Sequence, residues 1–186
     1  MILHIKNMVC DRCIMVVRQQ IEHLDLQVSD ISLGTVKVYP DPSEVQLNEI
    51  SSSFKVLGFE LIDKAKDKIV EQIRNVIIEL IHHTDTPELH INFTEVLSDR
   101  LNKDYTYLSR LFSESEDITI EKFIIQQKIE KVKELLEYGE LNLNEISYRM
   151  GYSSSAHLSS QFKSLMGFPP SQFKSQELKR RSLDKI

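Results

Sequence analysis

The sequence predicts an α+β domain followed by an all-α domain. Residues 1–62 mix strand-like alternation with helical spacing of apolar residues, whereas no strand-like pattern occurs from Ala65 onward. In the second part, two similar pairs of short helices flank one long helix. We therefore expect a first domain at residues 1–64 and a second domain at residues 65–186.

The first domain is predicted to follow the order strand, helix, strand, strand, helix, strand. Its elements are a strand at Leu3–Ile5, a helix at Ile14–Leu24, strands at Val28–Ser32 and Thr35–Tyr39, a helix at Leu47–Leu57 and a strand at Phe59–Ile62. Gly34 favours a hairpin between the two middle strands, and Gly58 ends the second helix. This order is typical of a ferredoxin-like βαββαβ sandwich.

The second domain is predicted to be helical. Its helices lie at Ile69–Ile81, Thr94–Leu101, Tyr105–Ser115, Ile120–Tyr138, Asn144–Met150 and Ser154–Met166. A tight turn at Asn102–Asp104 divides the first pair; Gly151 supplies the turn of the second pair, and Ser153 caps its second helix. We interpret these pairs as two helix-turn-helix units joined by a linker helix about 27 Å long, close to the ~34 Å between successive major-groove faces.

The second helix of each pair carries mostly small polar and basic side chains on its outward face. They are Tyr105, Thr106, Ser109 and Arg110 in the first pair and Ser155, His157, Ser160 and Lys163 in the second. Arginine suits guanine, and threonine or serine can read several base edges. The pattern favours double-stranded DNA as the partner, although short amphipathic helices also occur in protein-interaction modules.

Four segments of this domain form a specific set. They are YLSRLF at Tyr107–Phe112, ITIEKFIIQQKIEKVKELL at Ile118–Leu136, LNEISYRMGY at Leu143–Tyr152 and HLSSQFKSLMGFPPSQFK at His157–Lys174. In this order they resemble the AraC/XylS transcription regulators, over residues 67–175. The resemblance implies DNA binding and control of transcription. RNA polymerase and a second copy of the chain are further partners that we expect. The resemblance also implies base-facing positions at Thr106, Ser109, Arg110, Ser155, Ala156, His157 and Ser160, the last of which commonly is arginine in the family.

The net charge of −5 belongs to the front half of the chain. Residues 1–91 carry 9 Lys and Arg against 14 Asp and Glu, whereas residues 92–186 carry 14 of each kind. A neutral DNA-binding half gains little affinity from phosphate contacts. We therefore expect dimerisation or a strong dependence on the best DNA site.

The two cysteines, Cys10 and Cys13, lie in NMVCDRC, where the first strand gives way to the first helix. Two thiolates at this spacing can converge on one soft metal ion, and a helix N-terminus favours the thiolate form of both. A redox pair is a second interpretation, disfavoured because the chain has no Trp and places Asp-Arg between the cysteines. A loop that has lost its ligand is the third.

The predicted elements of residues 1–63, with MVCDRC matching MxCxxC and with LGFE at Leu57–Glu60, resemble heavy-metal-associated domains. This resemblance implies that Cys10 and Cys13 bind Cu(I), with Zn(II) as the alternative. It also implies that Met8 packs under the loop without being a ligand.

Together these patterns predict a cytoplasmic transcription regulator that binds DNA and responds to a soft metal ion. Two rival hypotheses are a regulator driven by a protein or small-molecule signal with idle cysteines, and a metal chaperone with a helical docking module. An enzyme is disfavoured because no Ser/His/Asp, paired-carboxylate or phosphate-cradling glycine motif stands out. A membrane protein is disfavoured because no apolar run approaches the ~20 residues of a span.

Overall fold

The computed structural model describes residues 1–84, 91–173 and Leu183. Lys174, which ends the last of the four motifs, lies outside these residues. The chain divides into two compact units, residues 1–76 and 77–186, and the division falls within one helix.

The first unit contains the predicted elements in the predicted order. They are β1 (Ile2–Lys6), α1 (Asp11–Glu22), β2 (Gln27–Ser32), β3 (Thr35–Tyr39), α2 (Glu44–Val56) and β4 (Glu60–Leu61), followed by the start of α3 (Ala65–His82). The strands form one antiparallel sheet in the order β2-β3-β1-β4. Strand β4 is two residues long and pairs with the end of β1.

The core of the first unit forms where alternate strand residues meet the apolar faces of α1 and α2. Its buried members are Leu3, Ile5, Met8, Val17, Ile21, Leu26, Val36, Val38, Ile50, Phe54 and Phe59. Each fully buried aliphatic or aromatic side chain contributes about 1.5–3 kcal/mol through removal from water. Met8, which precedes the cysteines, is fully buried in this core, so it packs as expected.

The β2–β3 turn lies against α3. Gly34 in this turn has φ +79°, and a Cβ added there would lie 2.1 Å from Nδ2 of Asn75, a buried residue of α3. The turn therefore needs glycine for two reasons, its left-handed backbone and its contact with α3.

The second unit is helical in its described residues. Its elements are the end of α3, α4 (Phe93–Leu101), α5 (Tyr105–Glu116), α6 (Ile120–Tyr138), α7 (Leu143–Arg149), α8 (Ser155–Met166) and α9 (Pro170–Phe173). We call α4 and α5 the first helix pair, and α7 and α8 the second helix pair. The four-residue α9 was not predicted, because it is too short to show a helical period.

Helix α6 forms the centre of the second unit. Its buried residues are Ile120, Phe123, Gln127, Ile129, Glu130, Val132, Lys133, Leu135 and Leu136. Thr119 caps its first turn, and Gly139 ends it with φ 70°. The rings of Phe112 and Phe123 lie 5.5 Å apart, which packs α5 on α6, and Lys133 lies over the ring of Phe173 in α9.

Substitution of Gly34 by alanine is expected to destabilise the first unit more than substitution of Gly58. Both glycines have positive φ, but a Cβ at Gly58 would meet no atom within 4 Å. We expect Gly58→Ala to cost about 1 kcal/mol from backbone strain, and Gly34→Ala about 1–3 kcal/mol more from the clash. Urea unfolding of the full chain measures both; equal losses would contradict the contact with Asn75.

Candidate nucleic-acid interface and cysteine loop

Local capping fixes the start of α5. Asn102 ends α4 in the left-handed conformation, and the Asp104 carboxylate caps α5 by accepting hydrogen bonds from the backbone N–H groups of Thr106 and Tyr107, at 2.8 and 3.3 Å. Thr106 and Arg110 are exposed, whereas Ser109 is half-buried. The Arg110 side chain is 71% exposed, with Nε 4.0 Å from the carboxylate of Glu114. Helix α5 thus presents the guanidinium of Arg110 and small polar groups to solvent.

Tyr105 corrects the predicted outward face of α5. Its ring is half-buried, and its hydroxyl donates a 2.6 Å hydrogen bond to Oε1 of Glu121 in the first turn of α6. Burial and the Glu121 carboxylate raise the pKa of the tyrosine, and the tyrosine hydrogen bond lowers the pKa of Glu121. Tyr105 therefore connects α5 to α6, and only part of its side chain faces solvent.

The second helix pair has the same plan, with one correction to the cap. Gly151 makes the turn with φ 69°, but Ser154, not Ser153, caps α8 by accepting from the backbone N–H of His157 at 3.1 Å. The predicted cap differs from the observed cap by one residue because either serine fits the local sequence pattern. Four of the predicted contact residues are exposed, namely Ala156, His157, Ser160 and Lys163, and Ser155 is half-buried.

The His157 ring is held by two neighbours. Its Nδ1 lies 3.1 Å from the hydroxyl of Ser153, and its ring meets that of Tyr152 edge-on at 5.4 Å between centroids. The hydroxyl contact occupies Nδ1, so Nε2 is the ring nitrogen that can meet a partner. Burial raises the pKa of Tyr152 to about 12.

Two polar side chains of α6 also contact the helix pairs, and neither was predicted from the sequence. Glu121 bonds Tyr105 as described, and Nζ of Lys128 donates to the backbone carbonyl of Met150 at 2.9 Å. Burial lowers the pKa of Lys128. The sequence signal for them is weak: a spacing of seven residues places both on one face of a helix.

The cysteines lie at the N-terminus of α1, Cys10 as its N-cap and Cys13 in its first turn. Both are half-buried, and their Sγ atoms are 3.3 Å apart. Metal–thiolate bonds of about 2.3 Å allow both sulfurs to reach one ion at this separation. The pair of thiols therefore fits a soft metal ion, and the described residues contain no cluster of three or more His, Cys, Asp or Glu suited to a metal.

The loop before the cysteines is tied to α3. Asn7 has φ 71°; its backbone N–H donates to Oε1 of Glu71 at 3.0 Å, and its side-chain amide donates to the carbonyl of Gly58 at 2.9 Å. Burial raises the pKa of Cys13, and this outweighs hydrogen bonds from the backbone of Val9 and Cys10, which lower it. Backbone groups at the start of α1 therefore favour the Cys13 thiolate as expected, but burial opposes them more strongly.

Comparison with known proteins identifies the helical unit. A family model described as a helix-turn-helix domain matches residues 97–176. The Msm operon regulatory protein of Streptococcus mutans is 31% identical over 100 residues, which make up 54% of this chain and 35% of that protein. The present chain thus spans about a third of the length of that curated relative.

A solved structure gives the same result. The C-terminal domain of AraT, a response regulator from Geobacillus stearothermophilus, matches with a TM-score of 0.51 at 27% identity, over 64% of this chain and 94% of that domain. Residues 97–176 are therefore a helix-turn-helix domain. More particularly, this part of the chain is of the AraC type, which confirms the sequence resemblance there. No helix in the described ranges is long and apolar enough to cross a membrane.

Removal of the serine that caps α8 is expected to lower stability more than removal of the neighbouring serine. Ser154→Ala loses the hydrogen bond to the helix N-terminus and should lower the free energy of unfolding by about 1 kcal/mol. Ser153→Ala should cost less than about 0.5 kcal/mol, because Ser153 contacts the exposed His157 and not the helix backbone. Chemical denaturation of both variants checks the assignment, and a larger loss for Ser153→Ala would reverse it.

Proposed function

We propose that this protein is a DNA-binding transcription regulator in which the two helix pairs are two helix-turn-helix units. The observation that carries the proposal is that α5 and α8 each expose small polar or basic residues, within a helix-turn-helix domain of the AraC type. Each of these helices begins at a side-chain cap and exposes small or basic residues in its first two turns. Recognition helices contact base edges through such N-terminal residues.

The chemistry of the exposed residues fits the major groove. Arg110 offers two donors to guanine O6 and N7, and Thr106 offers a hydroxyl and a methyl group. On α8, His157 presents Nε2, while Ala156 and Ser160 are small enough to allow close approach of the helix. Lys163, farther along α8, suits a phosphate oxygen. Ser109 and Ser155, being half-buried, make contacts of smaller area.

The proposed partners of the regulator follow from its charge and its relatives. The neutral back half supplies little non-specific attraction to DNA, which favours binding as a homodimer. The matched Streptococcus mutans protein is described as an operon regulator, and contact with RNA polymerase is one means by which such a protein acts. Both partners are part of the proposal.

Arg110→Ala is expected to weaken specific DNA binding. Duplexes selected by the full chain from a randomised library provide the site, and fluorescence anisotropy at fixed salt measures Kd. Loss of a bidentate guanine contact costs about 1–3 kcal/mol, at least about fivefold in Kd, and relaxes preference at one position. Lys163→Ala should instead weaken all sequences alike and reduce the salt slope by about 1.

A matched control removes one positive charge from the first unit. Arg18 lies on α1, and its guanidinium is 3.7 Å from Glu22. Arg18→Ala removes one positive charge outside the two helix pairs, so it should change Kd less than about twofold. If the library yields no enriched sequence, the DNA-binding proposal fails. If Arg110→Ala and Arg18→Ala are equivalent, the assignment of Arg110 as a base contact fails.

We further propose that the first unit is a ferredoxin-like domain of the heavy-metal-associated kind, which binds Cu(I), or alternatively Zn(II), through Cys10 and Cys13. What supports this is the 3.3 Å separation of two half-buried thiols at the start of a helix, with Met8 packed in the core beside them. A bound ion would supply a positive charge that replaces two thiol protons. The Asn7–Glu71 hydrogen bond then offers a route by which a change in the loop reaches α3.

Anaerobic titration against a competing chelator tests the metal proposal. We expect one equivalent of Cu(I) per reduced chain, and no such binding by the Cys10→Ser, Cys13→Ser variant, because soft thiolates are the ligands. Operator affinity measured with and without metal tests the response, since a ligand that binds both states equally shifts nothing.

Three outcomes distinguish the alternatives. If the wild type binds no more metal than the double-serine variant, the protein remains a DNA-binding protein with idle cysteines. Metal binding without enrichment of any duplex would favour the chaperone hypothesis. Reversible disulfide formation without metal binding would favour a redox pair.

A further inference from the structure

Helix α6 reaches both helix pairs through polar side chains. Glu121, in its first turn, accepts the 2.6 Å hydrogen bond from Tyr105. Tyr105 is the first residue of α5 and directly precedes Thr106, the first proposed base-contacting residue. The position of the start of α5 therefore depends on a side chain of α6.

Lys128 makes a corresponding contact with the second pair. Its ammonium group donates to the carbonyl of Met150, the C-cap of α7, at 2.9 Å. The same Nζ lies 5.4 Å from the centroid of the Tyr152 ring, and that ring meets His157 edge-on. One lysine thus holds the turn between α7 and α8 together with the residue that packs on His157.

The two contacts share one face of α6. Seven residues separate Glu121 from Lys128, which corresponds to about 10.5 Å of rise and a drift of about 20° around the helix. Caps at Thr119 and Gly139 and the buried stripe of α6 keep this face fixed in the second unit. The separation of the two contacts is therefore set by the pitch of a single helix.

We propose that Glu121 and Lys128 are positioning residues that place α5 and α8, respectively, for base readout. The proposal rests on the proposed DNA-binding function. Glu121 acts through Tyr105 on the placement of Thr106 and Arg110. Lys128 acts through the turn on the placement of His157. Base contacts tolerate little displacement, so loss of either contact lowers discrimination at the bases that its own helix reads.

These contacts add little to the apolar core that holds the second unit together. Glu121 is exposed and Lys128 is half-buried, whereas α5 and α8 are fixed to the core by Leu108, Phe112, Leu158 and Phe162, all fully buried. Removal of one polar contact therefore leaves the second unit folded but allows α5 or α8 to shift locally. A positioning role can thus be measured as lost base discrimination in a protein that is still folded.

Paired variants of the full chain test the proposal on the selected duplex. Positions whose preference is relaxed by Arg110→Ala define the first half-site, and those relaxed by His157→Ala define the second. Glu121→Met should lower discrimination about tenfold in the first half-site only, whereas Glu121→Gln should retain it, because the amide oxygen accepts the same hydrogen bond. Lys128→Met should act only on the second half-site, with rescue by Lys128→Arg.

The same set of variants also controls for the change in net charge. Glu121→Gln and Glu121→Met both remove one negative charge, so a purely electrostatic effect would affect them equally. Lys131→Met removes one positive charge from α6 at a lysine that pairs with Glu134 instead of a helix pair. It should match Lys128→Met in salt slope but not in half-site discrimination.

The results distinguish failure of the proposed DNA-binding function from failure of the positioning role. If the wild type enriches no duplex, the proposed function and this inference both fail. If the wild type binds specifically but Glu121→Met and Lys128→Met retain its discrimination, or lose it equally in both half-sites, the positioning role is overturned. If His157→Ala relaxes no position, the Lys128 assignment is overturned. Should Glu121→Met lose its thermal unfolding transition, Tyr105→Phe removes the same hydrogen bond with a smaller change, and the same comparison decides.

Discussion

Burial of α6 is the constraint on which the second unit depends. Nine of its side chains are buried, and two of them, Glu130 and Lys133, form an ion pair of 2.7 Å with almost no exposure to water. Truncation of one partner of such a pair costs about 3–5 kcal/mol, because a buried charge is left uncompensated. Both residues lie on α6, so the pair compensates two charges that burial of this helix removes from water. The buried side chains fix the rotation of α6 about its axis, and this rotation determines which residues of α6 face the two helix pairs.

Rigid placement matters more for this protein than for a strongly basic DNA-binding domain. The back half carries as many acidic as basic residues, and most of the proposed contact residues are small. In the proposed function, affinity then comes from close fit to base edges, since a half without net charge gains little from phosphates. A close fit requires that α5 and α8 keep their positions. The polar contacts from α6 fix the final positions of these two helices, while the apolar core holds the second unit together.

The sequence predicted the elements well where their signals are local. Thr119 and Gly139 mark both ends of α6, and the bounds of that helix agree with the prediction. Features that depend on tertiary contacts were missed: Tyr105 is half-buried and bonds Glu121 of α6, and burial by the fold raises the pKa of Cys13. For α8 the sequence predicted a serine cap but at the wrong serine, because three consecutive serines offer the same local chemistry.

The two units use one device to fix their proposed functional loops. In the first unit, Glu71 of α3 accepts from the backbone of Asn7, a residue with positive φ just before the cysteines. In the second, Lys128 of α6 donates to the backbone of Met150, next to Gly151 with positive φ. In each case the bonded backbone group lies at or beside a left-handed residue, in a turn that a side chain of a helix reaches. The apolar core thus brings each loop to its helix, and one hydrogen bond to the backbone determines its final geometry.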